Sequence, residues 1–301
     1  MASHTLTSET ANPPAIAEHA AAAASSPHHR MSTRNRLLFF ATAWAIVLMP
    51  FLFWWSTWFG RRLSDTQITQ YLNDDKHPRH IQHALVQLGE RMARQDAGAT
   101  RWSPQLLRLA SHPVEEVRNT DAWVMGQDTS AEAFHETLLK MLQDSSPMVR
   151  GNAALSLVRF GDSTGRPQII ALLQPATVLA PAAGRIIDID KIGTSVRQGG
   201  LIAKLTDGNY RTEIRAPITG RIRALSVATG ATVAAGAEVA AIDPSSEQVW
   251  EALRALYLVG QLDDLAAIRI YERDVPEIPV HLREQAVLTE KAIQERAKQR
   301  P

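Results

Sequence analysis

The chain has 301 residues, 21% of them charged and 45% hydrophobic, with 32 Lys+Arg against 31 Asp+Glu for a formal net charge of +1. That balance leaves no global field to attract nucleic acid, and a chain without cysteine has no disulfide, thiol nucleophile or cysteine metal site. The length is that of about two domains, and the composition lets most of it fold.

Residues 1–36 read as a disordered tail. The run AEHAAAAASSPHH from Ala17 is rich in alanine but has no apolar period, and Pro13, Pro14 and Pro27 interrupt it. Residues 37–60, LLFFATAWAIVLMPFLFWWSTWFG, carry no formal charge. About 20 such residues suffice to span a hydrocarbon core, so a single transmembrane helix is expected there. Trp54, Trp55 and Trp58 cluster at its end, where an interfacial aromatic belt would sit. Arg30, Arg34 and Arg36 precede it, while Arg61 and Arg62 follow. The three upstream arginines favour an N-in, single-pass anchor in a bacterial-type inner membrane, with the C-terminal bulk periplasmic.

Residues 64–175 then show helical spacing. WSPQLLRLASHPVEEVRNTDAW from Trp102 matches FHETLLKMLQDSSPMVRGNAAL from Phe134 at an offset of 32, pairing Leu106 with Leu138, Arg118 with Arg150 and Ala122 with Ala154. Each unit reads as two helices. Val117, Asp121, Val124 and Met125 fall on one face of the second, with Asp121 as the odd member, at the stripe margin or capping a neighbour. Pro113 and Pro147 stand near helix starts, where a missing N–H costs little. Weaker copies begin at His80, Val249 and His281, so residues 247–298 are expected to form C-terminal helical repeats. A lone hairpin cannot hide its apolar stripe, so such units stack. Arg118 and Arg150, recurring at one repeat position, are candidates for an inter-repeat hydrogen-bond ladder or for reading an acidic partner. The units VRNTDAW and VRGNAALSLVRFG resemble HEAT-type repeats, a resemblance that implies stacked antiparallel helix pairs with an extended surface for partners.

Residues 176–243 break the helical period. VLAPAAGRIIDI from Val178 matches IRAPITGRIRAL from Ile214, aligning Gly184 with Gly220 and Ile186 with Ile222; further on, Gly193 matches Gly230 and Gly199 matches Gly236. This is two copies of strand, glycine turn, strand, glycine turn, strand, packed as a small sandwich around a pseudo-twofold axis. Spacing alone does not place Ile186, Ile189 and Ile192 on one face. The AP-x-x-G-x-I element and the paired V-x-x-G turns resemble the biotinyl/lipoyl carrier domain, also found in membrane-fusion adaptors of efflux and secretion systems. In that family a lysine at the hairpin tip carries the cofactor. The matching stretch here is Thr206-Asp207-Gly208-Asn209-Tyr210, which puts Asn209 at the lysine position. An amide cannot form the attachment bond, so no cofactor is expected. The long hairpin and β-barrel domains of the adaptors are also missing.

The fold class expected is therefore α+β and multidomain: a transmembrane helix, α–α repeats and an inserted lipoyl-like β-sandwich. His77, His80 and His83, with Asp74 or Asp75, lie close together but read as a solvated helix start, so no metal site is assigned. Glu115–Glu116 and Asp263–Asp264 suit first helical turns. With no catalytic signature in view, the function expected is a non-enzymatic, membrane-anchored scaffold. It would be an accessory subunit of an integral membrane protein complex, respiratory or photosynthetic in kind, binding neither nucleic acid nor a small substrate. The alternatives are an adaptor-like component of an export or efflux system, a modified carrier domain and an unrecognised enzyme.

Overall fold

The computed structural model describes residues 32–56 and 62–299, and within its first helix the side chains of residues 32–35 and 37–49. The chain divides into a unit ending at Arg61 and a second beginning at Arg62.

The first unit holds α1, Thr33–Ser56. Leu37, Phe40, Trp44, Ile46, Val47 and Met49 on it are exposed. Among the described residues no helix is long and apolar enough to cross a membrane. This overturns the transmembrane helix expected at 37–60 and, with it, the single-pass inner-membrane placement, N-in with the C-terminal bulk periplasmic. The helix opens at Thr33 rather than Leu37, which brings Arg34 and Arg36 into its first turns. The same early start corrects the tail expected over 1–36. First-turn N–H groups need no intrahelical partner and arginine is a good helix former, so the charged residues extend the helix. Residues 1–31 and Trp58 lie outside the described residues, and Trp54 and Trp55 outside the described side chains.

The second unit is built from helical hairpins. They are α2 (Asp65–Leu72) with α3 (Pro78–Ala93), α4 (Ser103–Leu109) with α5 (Glu115–Met125), and α6 (Glu132–Met141) with α7 (Pro147–Arg159). Next come α8 (Arg166–Leu172) with α9 (Ser246–Val259), and α10 (Leu265–Ile268) with α11 (Val280–Gln299). The second helices stack in the order α3, α5, α7, α9, α11. One continuous apolar core runs from Ile68 to Ile293, so the C-terminal helices prolong the same array.

Repeat positions explain the stacking. On α5 the buried residues are Val117, Asp121, Ala122, Val124 and Met125, and on α7 the same register buries Val149, Ala153, Ala154, Ser156 and Leu157. Polar side chains at fixed positions tie neighbouring helices together. Ser156 Oγ donates to the Ala122 carbonyl at 2.8 Å, and Thr289 Oγ1 donates to the Leu253 carbonyl at 3.0 Å. Asn152 Nδ2 donates to Asn119 Oδ1 at 2.8 Å. A buried hydroxyl needs a partner, and the stacked backbone supplies it. Asp121 is neither marginal nor a cap. It is fully buried, and neither carboxylate oxygen has a hydrogen-bond partner.

The β module fills the connection between α8 and α9, the two arms of a single hairpin. Its strands are β1 (Ala176–Leu179), β2 (Gly184–Ile189), β3 (Ser195–Val196), β4 (Leu201–Thr206), β5 (Arg211–Arg215), β6 (Gly220–Leu225), β7 (Thr232–Val233) and β8 (Glu238–Pro244). Two antiparallel sheets form, ordered β1-β8-β6-β3 and β5-β4-β2-β7. Exchanging the halves β1–β4 and β5–β8 converts one order into the other, so each sheet draws strands from both sequence repeats. The backbone obeys the same symmetry. Gly193 N–H donates to Ile222 O and Gly230 N–H to Ile186 O, both at 2.7 Å. Gly199 N–H donates to Ala216 O and Gly236 N–H to Ala180 O, both at 2.8 Å. Gly193 and Gly230 have φ of 86° and 91°, a left-handed conformation that glycine adopts without a Cβ penalty. The core gathers Ile186, Ile202, Leu205, Ile214, Ile222 and Ile242. Ile189 only packs against it, and Ile192 is 63% exposed.

At the C-terminal end of the array, Arg269 lays its guanidinium on Glu290, with Nη2 2.7 Å from Oε1. Burial first, then the adjoining Glu290 carboxyl, pushes Glu272 up to about 7, while the Arg269 hydrogen bond lowers Glu290. Because the folded value of Glu272 lies above its ordinary 4.5, its contribution to stability is complete below that value. It is lost as pH rises through about 7. Glu272→Gln is expected to flatten the fall in melting temperature between mildly acidic and mildly alkaline pH. A variant that keeps the parental slope would place that titration elsewhere.

Candidate docking cleft at the insertion

The loops joining first to second helices line one edge of the array, and the β module emerges from that edge. Its attachment is fixed on both sides. Tyr271 Oη donates to the Leu173 carbonyl at 2.7 Å, and Gln248 Nε2 to the Leu172 carbonyl at 2.9 Å, closing the carbonyls left open where α8 ends. Burial, with the Asp243 charge behind it, raises the Tyr271 phenol to about 12, so the donor stays protonated. On the far side Ser245 caps α9 by accepting from Gln248 N–H at 3.3 Å, and its own N–H donates to Thr219 O at 3.1 Å.

The two repeat arginines lie on this edge. Arg118 Nη1 donates to the carbonyls of His112 and Pro113 at 2.8 and 3.2 Å. Its Nε and Nη2 form a fork on Asp144 Oδ2 and Oδ1, at 2.7 and 2.8 Å. Both side chains are nearly closed to solvent, at 12% and 11% exposed. Burial acts to raise the Asp144 pKa, but hydrogen bonds from Arg118 and the Ser146 N–H outweigh it and hold the carboxyl below its usual range. Arg150 repeats half of this arrangement. Its Nη1 donates to the carbonyls of Asp144 and Ser145 at 2.7 and 3.0 Å. Its Nε and Nη2 have no acceptor among the described residues.

Chain position shows what became of the missing carboxylate. Asp144 stands two residues before Ser146, the N-cap of α7, and Asp243 stands two residues before Ser245, the N-cap of α9. Leu142-Gln143 likewise corresponds to Leu173-Gln174 at the ends of α6 and α8. Asp243 is therefore the counterpart of Asp144, but β8 incorporates it opposite Arg221. There its Oδ1 faces Arg223 Nη1 at 3.6 Å.

Arg150 thus lines an open cleft of about 330 Å³ between the array and the module, walled by Leu172, Pro175, Pro217 and Ile218 and edged by Gln168 and Gln248. Both glutamine side chains donate their amide nitrogens to carbonyls, Gln168 to Leu142 O at 3.5 Å and Gln248 to Leu172 O at 2.9 Å. Their Oε1 atoms are buried without a donor. Sequence reading singled out Arg150 but missed Gln168 and Gln248, which have no repeat signature.

The other sequence candidates lie elsewhere. Asn209 sits in the exposed β4–β5 tip, where Asp207 Oδ1 accepts from the N–H groups of Asn209 and Tyr210, both at 2.9 Å. Asp74, His77 and His80 converge between α2 and α3. Asp74 Oδ2 lies 2.9 Å from His77 Nδ1 and 2.7 Å from His80 Nδ1, and Tyr71 stacks on the His80 ring at 4.5 Å. Hydrogen bonds from His80 and then His77 lower the Asp74 pKa. His83 turns to Gln87, with its Nε2 2.8 Å from the amide nitrogen.

Comparisons with known proteins agree with this architecture in two pieces. None of the curated proteins matches the chain. Among solved structures, a single-chain, multi-domain long-chain acyl-CoA carboxylase aligns at 16% identity over 34% of this chain and 10% of its own, with a TM-score of 0.23, too low to bear on the fold. This chain therefore spans about a tenth of that enzyme's length. Residues 103–183 match the family of HEAT repeats, and residues 174–245 match the RND MFP barrel-sandwich hybrid domain. The chain is thus similar to HEAT repeats through its central hairpins and to an RND MFP barrel-sandwich hybrid domain through the module inserted between α8 and α9.

Proposed function

We propose that the protein is a non-enzymatic interaction scaffold, an accessory subunit that docks and holds partner proteins in a larger assembly. One observation carries the reading: a single stacked array presents a folded β module from one of its own loops, beside an arginine with half its guanidinium unpaired. The polar residues that recur along the array serve its stacking, as the Arg118–Asp144 and Ser156–Ala122 contacts illustrate. A rigid array with a protruding module offers a partner two adjoining surfaces, whose contacts reinforce each other. Helix α1, with its exposed Leu37, Phe40 and Trp44, adds an apolar surface of the kind that marks protein contacts. The partner that suits all three surfaces is an integral membrane protein complex. A second reading, an adaptor-type component of an export system, draws on the likeness of residues 174–245 to the RND MFP domain.

Gentle extraction of the tagged full chain, followed by size separation and cross-linking mass spectrometry, distinguishes these readings. The scaffold reading expects a defined hetero-oligomer with cross-links from Lys191 and Lys204 of the β module to a partner. A transporter as that partner selects the adaptor reading. A chain that runs as a lone monomer under the mildest extraction sinks both.

A further inference from the structure

Arg118 and Arg150 are the same rung of one ladder, completed once and left open once. Both arginines cap their own loop with Nη1, and only Arg118 finds a carboxylate for Nε and Nη2. A guanidinium fork held in place by two carbonyls is preorganised for a carboxylate, which it binds through two parallel charge-assisted bonds. The chain's own candidate, Asp243, is held in β8 against Arg223. A free inorganic anion would answer the arginine alone, whereas an acidic peptide segment also brings aliphatic atoms to lay along the rest of the cleft. The apolar walls, Leu172, Pro175, Pro217 and Ile218, suit the aliphatic part of such a segment.

We propose that the cleft between the array and the β module binds an acidic peptide segment of a partner protein, whose Asp or Glu carboxylate completes the open rung on Arg150. This deepens the scaffold reading by naming one docking point and the chemistry it recognises. The array itself supplies a probe, since the segment that satisfies Arg118 is Leu142-Gln143-Asp144-Ser145-Ser146. The peptide acetyl-LQDSS-amide is titrated into the full-length chain while the Nε–H resonance of Arg150, identified by its loss in Arg150→Lys, is followed by NMR.

The expected result is a saturable shift of that resonance. Replacing the peptide's Asp by Asn should weaken binding by about tenfold or more, since the charged fork is then lost. Arg150→Gln should do the same while keeping a cooperative melt. Phosphate at equal concentration should not saturate the site. The inference is overturned if the resonance does not move, if the Asn peptide binds equally well, or if phosphate saturates as the peptide does. These controls change the ligand rather than the fold, so an unstable variant leaves the test intact. Failure here alongside a partner-bearing complex would sink the cleft assignment alone, whereas a monomeric chain would sink the scaffold reading.

Discussion

Asp121→Ala is expected to make the protein more stable, by about 1–3 kcal/mol at neutral pH, the cost of burying a polar group without a partner. Asp121 is fully buried among α5's apolar residues, and neither of its carboxylate oxygens has a hydrogen-bond partner. Desolvation therefore dominates and raises its pKa well above the ordinary value, with the more distant Arg108 charge opposing it weakly. The neighbouring repeats show what the position accepts: Leu85 occupies it on α3 and Ala153 on α7, both fully buried. Alanine leaves only a small void, so the relief of desolvation outweighs the lost contacts.

The pH dependence gives the prediction a second, independent arm. A carboxyl whose folded pKa lies above its unfolded value favours folding most when protonated in both states, below the unfolded value near 3.8. That contribution declines as pH rises through the folded pKa. The advantage of Asp121→Ala should therefore be smallest in acid and grow toward neutrality. For a unit of this size each kcal/mol moves the melting temperature by about 2–4 °C. A variant that melts lower at neutral pH, or a difference that ignores pH, would show that Asp121 has a compensating partner.

Asp121 also marks where sequence reading stops. The period that placed Val117, Asp121, Val124 and Met125 on one face was correct, and all four are buried. What spacing could not decide was whether a carboxylate on that face sits at its edge or its centre, because the answer depends on α3 and α7 packing from either side. The β module was legible for the opposite reason. Its glycines are demanded by local backbone geometry, as at Gly193 and Gly230, so the internal repeat survives in the sequence without any tertiary information. Arg150 was found by repetition, yet the sequence gives no hint that its fork is unpaired. That follows only from Asp243 being drawn into β8. The apolar run after Leu37 was legible as a helix but not in its bounds, since the helix starts at Thr33 and takes Arg34 and Arg36 into its first turns.

The position of the β module leads to the second large effect. Excising Pro175–Ile242 joins Gln174 to Asp243, and the new loop, Leu173-Gln174-Asp243-Pro244-Ser245, reproduces the pattern Leu142-Gln143-Asp144-Ser145-Ser146 of the preceding hairpin. The arms it must connect are already neighbours: α8 packs on α9, and Gln248 reaches the Leu172 carbonyl at 2.9 Å. The shortened chain is expected to fold into the uninterrupted array, with its helical circular-dichroism signal retained and one cooperative melt. The losses are local, namely the packing of Met148 on the β core and the Ser245 N–H bond to Thr219. Against them, Asp243 leaves its strand and becomes free to take the place on Arg150 that Asp144 takes on Arg118, a charge-assisted fork worth about 1.5–3 kcal/mol when partly buried. Global stability should thus change little, while binding of the LQDSS peptide should disappear, because the cut removes the cleft walls Pro175, Pro217 and Ile218 and lets the chain fill its own rung. An excised chain that is molten would show the module to be part of the array's core rather than a passenger in one loop. One that folds yet still binds the peptide would show that Asp243 is not the missing carboxylate.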